Sequence, residues 1–446
     1  MIRFIAILSM CLLHISVSFF PSTLLELIFK IVTIIVFLLV IPSLNIKRRV
    51  FTLFLFFGGV IVHYSVGVRG IHLFDGITQN LSLLSILILA PLLSIPLKRE
   101  GIIETIVTYL TKLKNEPKKI FLGISTFMLT VSPILNMGAI RIVHGFVENI
   151  YIPPKVLSRA YFTGFTPAVS WSPFFASVGI VLFYLDITYL SYVGVGLIFA
   201  LIQSIIGIFL FYPRVKLQGE IIQIAQPIKK IKNLKRDIVI MISFIFGLVL
   251  LLILLEKLVE KSMLILVSLI CIVVPIVWSI IRKKLSVLKE EIFLFKQKLL
   301  IQSNTEISLF LGAGIFGNAI SQTPLIGYLD KGIQWSATLS VGILFLFIIL
   351  FVTLMAVLGV HQIIVIPLVL GSLIAANVDI TTNSIAFMCI YTWMVSSAIS
   401  PVNAMNVIIS QCVQKDGITV GLKWNGLYFS VITLVAFIFV YVLNSI

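Results

Sequence analysis

The chain has 446 residues, of which 60% are hydrophobic and only 11% are charged, and its formal net charge is +16. Soluble domains carry about 25% charged residues, so this composition excludes a soluble protein of that size. Apolar runs of about 20 residues, the length that crosses a bilayer, follow one another along the chain. The basic residues lie between these runs, as the positive-inside rule expects, so the charge predicts membrane lipids and no nucleic acid as partners.

The first 97 residues contain four apolar runs, at 2–20, 24–44, 51–68 and 81–97. The first run resembles a signal peptide, but it lacks a small-residue cleavage site and a second run follows almost at once. We therefore interpret it as the first membrane helix. Residues 1–97 are predicted to form a set of N-terminal scaffold helices.

Residues 98–213 combine complete and interrupted spans, and we interpret them as the first of two repeats. An amphipathic piece, too short to cross, predicts an interfacial helix. The next run is interrupted near Asn136 and predicts a re-entrant hairpin, and the run after it is broken around Pro167 and Pro173. In chain order the four elements are 101–113, 120–150, 156–185 and 191–211.

Residues 214–300 link this repeat to the second one. Two spans, 238–255 and 263–281, lie between the basic stretches 214–236 and 282–298. Because cytoplasmic loops are enriched in Lys and Arg, both basic stretches are predicted to be cytoplasmic.

The plan of the first repeat recurs in residues 301–446. The second hairpin is interrupted at 359–362, and the broken span carries Ser400-Pro401, which corresponds to Ser172-Pro173 in the first repeat. We call the sequence separation between Ser172 and Ser400 the repeat offset. Weak internal symmetry of this kind is typical of secondary transporters built from two repeats. The five elements are 306–320, 321–335, 337–375, 385–409 and 424–443.

The distribution of basic residues predicts the topology. With the N-terminus inside, both hairpins re-entrant and about 11 crossings, 27 of the 33 Lys and Arg residues are cytoplasmic and four are outside. A bias of this size is hard to obtain from a wrong topology. It places the ends of the two hairpins on opposite sides, so we predict inverted repeats in a multi-pass protein of the cell membrane, with a cytoplasmic N-terminus.

Helix breaks inside the hydrocarbon region survive only where their free backbone groups are buried in protein or line a wet cavity. Prolines account for the breaks, since Pro133, Pro167, Pro173 and Pro401 have no N–H and clash with the preceding turn. Hydroxyl and amide groups beside the breaks can bind a solute without burying charge, so we predict one binding site near the middle of the membrane. Its candidate substrate-binding residues are Ser132, Asn136, Thr166, Ser170, Ser172, His361, Gln362, Ser397, Ser400 and Asn403.

The chemistry of these breaks favours an anion. The half-helices that begin after the prolines would direct N–H groups and a positive dipole end at the solute, and freed carbonyls could hold Na⁺ as a coupling ion. None of the breaks contains Asp or Glu, which argues against a cation exchanger. No catalytic residue, metal site or other cofactor is predicted, because the four isolated cysteines lack metal-ligand spacing.

Other polar residues in the apolar runs are open to two interpretations. Arg141 and His144 could balance an anionic solute, or Arg141 could snorkel. His361 could hydrogen-bond the solute or shuttle a proton, and it could equally be structural. Glu26 and Lys30, one helical turn apart, are predicted to form a structural pair.

The order of amphipathic piece, re-entrant hairpin and broken helix, present twice in opposite orientation, resembles the ion transporter superfamily. This family includes divalent-anion/sodium symporters, citrate carriers and arsenite-efflux permeases. The resemblance covers residues 98–446, and its best local matches are 164–173 and 400–403. It implies a homodimer in which a transport domain moves through the membrane like an elevator against a fixed scaffold.

We therefore predict a secondary active transporter driven by Na⁺ or H⁺, and no enzyme. The alternative is a polytopic membrane enzyme or assembly protein, such as a lipid-linked sugar polymerase. Those proteins usually need a large polar loop outside the cell, whereas the longest polar stretches here are basic and placed inside. An ion channel is disfavoured because the hairpin tips alternate in orientation.

Overall fold

The computed structural model describes residues 2–103, 105, 117–147, 152–212, 234–324 and 326–445. This part of the chain is almost entirely helical and contains no β-strand. The prediction of an all-α fold is therefore confirmed. Most of the predicted interfacial helix, and most of the basic stretch 214–236, lie outside the described residues.

Twenty α-helices follow one another in the described part of the chain. The first ten are α1 (Ile2–Phe19), α2 (Thr23–Val40), α3 (Ile46–Ser65), α4 (Leu81–Leu89), α5 (Ser94–Arg99), α6 (Pro117–Leu135), α7 (Gly138–Val147), α8 (Pro154–Val169), α9 (Ala176–Leu185) and α10 (Tyr189–Phe211). The other ten are α11 (Leu234–Val259), α12 (Met263–Ile281), α13 (Leu285–Gln302), α14 (Asn304–Ser321), α15 (Ile326–Leu339), α16 (Val341–Val357), α17 (Gln362–Ala376), α18 (Thr382–Ile399), α19 (Ala404–Val413) and α20 (Gly426–Asn444).

Within the described residues, nine helical segments are long and apolar enough to cross a membrane. They include eight of the predicted crossings, and also the first limb of the first predicted hairpin, Lys118–Leu135. Three predicted crossings are not among them. The first turn of α3 contains three consecutive basic residues, and α8 and α9 are separate short helices. α14 qualifies only together with α13, from which it is bent by 60°. The chain is a multi-pass membrane protein.

Contacts divide the chain into two compact units. The first contains Met1–Leu93, Leu255–Thr338 and Ile363–Val378, and the second contains Ser94–Leu254, Leu339–Gln362 and Asp379–Ile446. All ten predicted binding residues belong to the second unit. The four-segment domain plan, with boundaries after residues 97, 213 and 300, stays a prediction.

The first unit is held together by close packing and by a few buried hydrogen bonds. Gly76, with a φ of +91°, lies so close to Gly314 that a Cβ on either residue would overlap the backbone of the other. The buried His63 ring bridges two segments, with Nδ1 3.0 Å from the Leu73 carbonyl oxygen and Nε2 3.1 Å from Asn318 Oδ1. These contacts fix α14 and the loop after α3 against each other.

Lys30 forms an ion pair with Asp75, not with Glu26 as the sequence suggests. Asp75 lies in the loop between α3 and α4 and also accepts a hydrogen bond from His72 at 3.1 Å. The expected pair is wrong because the loop brings a carboxylate to Lys30 from 45 residues away. Burial by itself raises the pKa of Asp75, but the bonds from Lys30 and His72 outweigh it and hold that pKa below its ordinary value of 3.8.

We expect Asp75→Asn to destabilise the protein at neutral pH and to have little effect in acid. A carboxyl whose pKa is lowered by folding contributes stability above its ordinary pKa, and that stability is lost as the pH falls through the lower, folded value. Thermal unfolding of the purified protein in detergent, at neutral pH and at a pH well below 3.8, measures the difference. The exposed Asp379→Asn is the control, and an equal effect of Asp75→Asn at both pH values would contradict the assignment.

Candidate functional site

Two of the prolines in the second unit do not end their helices. Pro133 and Pro167 lie inside α6 and α8, and each helix continues for two more residues. A proline removes only its own N–H, so one earlier carbonyl loses its partner while the next residues can still be helical. The prediction that these two prolines break their helices is wrong. α6 ends before Asn136, whose φ of +50° is left-handed, and α8 ends before Ser170.

The first break, between α8 and α9, is bonded to the tip of the first hairpin. Ser172 Oγ donates to the carbonyl oxygen of Pro133 at 2.7 Å and accepts the backbone N–H of Phe174 at 3.3 Å. Asn136 Nδ2 donates to the carbonyl oxygen of Phe174 at 3.2 Å. Hairpin and break therefore form one hydrogen-bonded group. We call residues 132–137 and 170–175 the first cluster.

The second break, between α18 and α19, has the same construction. Ser400 Oγ donates to the carbonyl oxygen of Ala356 at 2.7 Å and accepts the backbone N–H of Val402 at 3.4 Å. As at Ser172, one serine hydroxyl joins a break to the last turn of a hairpin's first helix, here α16. The chain then turns at Gly359, whose φ is +93°. We call residues 356–362 and 396–406 the second cluster.

The helices around the two breaks also match. α9 and α19 have the same length, and both of their ends are separated by the repeat offset. The first residues of α8 and α18 are separated by the same offset, and the residues that follow α9 and α19, Asp186 and Gln414, are both left-handed. The packing is reciprocal, because α9 contacts α18 and α19 contacts α8. The second unit therefore contains two broken helices of matching length and packing.

Three buried side chains tie the second cluster together. Gln362 Nε2 donates to Ser396 Oγ at 2.9 Å, and Asn403 Nδ2 donates to Gln362 Oε1 at 2.7 Å. Asn403 Oδ1 in turn accepts the backbone N–H of Met405 at 3.2 Å, which caps the start of α19. Gln362 and Asn403 were predicted from the sequence, whereas Ser396, the partner of Gln362 34 residues away, was missed.

Thr166 belongs to a different network, between α8, α10 and α20. Its hydroxyl donates to the carbonyl oxygen of Phe162 at 2.8 Å and accepts Gln203 Nε2 at 2.7 Å, with the Tyr428 hydroxyl 3.3 Å away. Sequence reasoning missed Gln203 and Tyr428. The signal for Gln203 was an amide inside the apolar run 191–211.

Two of the predicted serines are buried without a partner. The hydroxyls of Ser132 and Ser170 make no hydrogen bond among the described residues, and their exposed fractions are 0% and 1%. A buried polar group without a partner costs about 1–3 kcal/mol, so such groups mark places where a ligand or water can bind. Ser397 is buried in α18, outside the amide network of the second cluster.

The ionisable side chains that the sequence singles out near the breaks are Arg141, His144 and His361. His144 Nδ1 lies 3.0 Å from the Tyr161 hydroxyl, and Arg141 is exposed. The His361 ring lies edge-on to the Trp393 ring, with the two centroids 6.3 Å apart. His361 is a member of the second cluster, and its ring packs against Trp393, which lies on α18 shortly before that cluster.

Neither cluster contains Asp, Glu, Lys or Arg. The polar groups of the two clusters are hydroxyls, amides, backbone N–H groups and the imidazole of His361, all of which can hydrogen-bond and orient a polar molecule. In the described part of the chain no group of His, Cys, Asp and Glu residues is arranged to hold a metal ion. Both clusters are therefore rich in hydrogen-bonding groups and carry no carboxylate, ammonium or guanidinium group.

No protein-family model matches the chain, and no curated protein matches it. The class that the fold defines is an all-helical, multi-pass membrane protein with two matched helix breaks. Any functional assignment therefore depends on the geometry of the two clusters.

Proposed function

We propose that the protein is a secondary active transporter that moves a small anionic solute across the cytoplasmic membrane. The observation that carries this proposal is the pair of matched Ser-Pro breaks. In each, one serine hydroxyl donates to a backbone carbonyl oxygen of a hairpin at 2.7 Å. Breaking a membrane helix is costly unless the freed groups are buried in protein or serve a polar cavity. Two such breaks with the same construction favour a transport function over accidental kinks.

The proposal includes inverted repeats and an elevator mechanism. The constant repeat offset and the reciprocal packing of α9 with α18 and α19 with α8 support two repeats related by a pseudo-two-fold axis. Such repeats, with discontinuous helices at their interface, are typical of secondary transporters. On the resemblance to the ion transporter superfamily, we further propose a homodimer, coupling to Na⁺ or H⁺, a cytoplasmic N-terminus and no enzymatic activity.

The neutral character of both clusters supports an anion as the solute. Hydroxyl donors and half-helix N-termini stabilise negative charge without requiring a buried cation. A proton or cation exchanger would be expected to carry a carboxylate at this place, and neither cluster has one.

Counterflow into proteoliposomes tests the proposal. Vesicles containing the purified protein are loaded in turn with sulfate, phosphate, succinate and citrate, and uptake of the same labelled anion is followed under Na⁺ gradients and pH gradients. We expect at least one anion to exchange and one gradient to drive its accumulation, while protein-free vesicles show neither. Absence of exchange for every anion would reject the proposal.

A further inference from the structure

We infer that the two breaks have different roles: the first cluster binds the solute through Ser132 and Ser170, and the second cluster is a structural latch closed by its own side chains. This inference rests on the proposed function and goes beyond it, because matching backbones alone would suggest equal contributions from both breaks. The difference lies in the side chains that fill each break.

The amide side chains of the second cluster are engaged in hydrogen bonds within that cluster and its surroundings. Each amide of Gln362 and Asn403 has both its nitrogen and its oxygen engaged. Asn406, on α19, donates to the carbonyl oxygens of Ala398 at 2.9 Å and Gly417 at 3.0 Å, and its Oδ1 accepts the Ser410 hydroxyl at 2.8 Å. These hydrogen bonds connect the two sides of the second break, and they leave few hydrogen-bonding groups of its amide side chains for a solute.

The corresponding positions of the first break are apolar. One repeat offset earlier in the chain, the counterparts of Ser396, Asn403, Asn406 and Ser410 are Ala168, Phe175, Val178 and Leu182. The first break therefore has no amide network of its own. Its links to the hairpin are the bonds of Ser172 and Asn136, which occupy those two side chains.

Among the described residues of the two clusters, the hydroxyl oxygens that are fully buried and make no hydrogen bond are those of Ser132 and Ser170, both on the side of the first break. Ser132 and Ser170 are buried without a partner among the described residues, whereas the counterpart of Ser170 in the second break is Ala398. Ser132 directly precedes Pro133, whose carbonyl oxygen accepts the Ser172 hydroxyl, so it lies one residue from the bond that joins the first break to its hairpin.

An anion would satisfy these two hydroxyls. Each is an O–H donor, and hydrogen bonds from hydroxyls to a charged acceptor are stronger than bonds between neutral groups. The absence of Lys and Arg from the first cluster means that recognition depends on donors and not on a counter-charge. The chemical class that fits is a small oxyanion, such as a carboxylate or an inorganic oxyanion.

Thermal unfolding of the full-length protein in detergent separates the two roles. The midpoint is measured against increasing sodium sulfate, phosphate, succinate or citrate, with sodium chloride at equal ionic strength as the reference. Ser132→Ala and Ser170→Ala are expected to raise the half-saturating anion concentration about tenfold, the effect of losing one hydrogen bond to a charged group. Their midpoints without anion should not fall, because the lost hydroxyls were unpaired.

The latch variants should behave in the opposite way. Ser396→Ala and Asn406→Leu are expected to lower the midpoint without anion, while the half-saturating concentration stays unchanged. If an anion stabilises the wild type and Ser132→Ala and Ser170→Ala leave its half-saturation unchanged, the division of roles is wrong while the transporter proposal stands. If no anion stabilises the wild type, the ligand class is wrong and the proposed function falls with it.

Discussion

Ser172→Leu and Ser400→Leu are each expected to abolish transport while the protein still inserts into the membrane. Both serines are completely buried, and each joins its break to a hairpin carbonyl at 2.7 Å. Leucine can neither donate to that carbonyl nor accept the following N–H, and each group left unpaired costs about 1–3 kcal/mol. Its larger volume in a packed position costs about 1–3 kcal/mol more.

Insertion should survive because it depends on the apolar spans and the basic loops, which these variants do not change. Uptake into proteoliposomes and the amount of protein in the membrane fraction are the two measurements. Ser191→Leu, at an exposed position near the start of α10, is the matched control.

The smaller changes Ser172→Ala and Ser400→Ala remove the hydroxyls without adding volume. Because the hydrogen bonds at the two sites have nearly equal lengths, we expect losses of stability of similar size. Wild-type uptake by both leucine variants would show that the two breaks do not serve transport.

Gly164→Ala is expected to destabilise the second unit by about 1–3 kcal/mol, the usual effect of overfilling a packed core. Gly164 lies on α8 where that helix crosses α6. A methyl group there would overlap the carbonyl oxygen of Ser125 and lie 2.5 Å from Met128 Cβ. Since the Ser125 oxygen is a backbone atom, it cannot move aside without displacing α6 and, with it, the first hairpin.

The control for this substitution is Gly145→Ala on α7. A Cβ at Gly145 meets nothing within 4 Å, so alanine should be neutral there or stabilise the helix by about 0.5–1 kcal/mol. Thermal unfolding in detergent gives both values. Equal midpoints for the two variants would mean that α6 and α8 do not pack as closely as described.

Much of the fold follows from composition and periodicity. Eight of the predicted crossings coincide with helices that are long and apolar enough to span, because a membrane span needs only a sufficient length of apolar residues and no particular partner. The first tip at Asn136 and the second at Gly359 also follow from local sequence, because Gly and Asn are the residues that most often end a helix in the left-handed conformation, which both adopt here.

The candidate site could be predicted only in part. Serines and amides beside prolines are visible in the sequence, but their partners are not. Pro133 and Pro167 stay inside their helices, Gln203 reaches Thr166 from another helix, and Lys30 pairs with a loop residue 45 positions away. Each of these outcomes depends on contacts between distant segments, which propensity and spacing do not contain.

By itself, the sequence determined that this chain crosses a bilayer with many helices, and it located the two Ser-Pro pairs. Both follow from local properties, namely the length of an apolar run and the backbone N–H that proline lacks. Only the tertiary structure decided which polar groups are satisfied. A hydroxyl at Ser400 and a hydroxyl at Ser170 look alike in the sequence, yet the first is bonded to Ala356 and the second has no partner among the described residues. Hydrogen bonding is set by which atoms packing brings within about 3 Å of each other, and that depends on the whole fold.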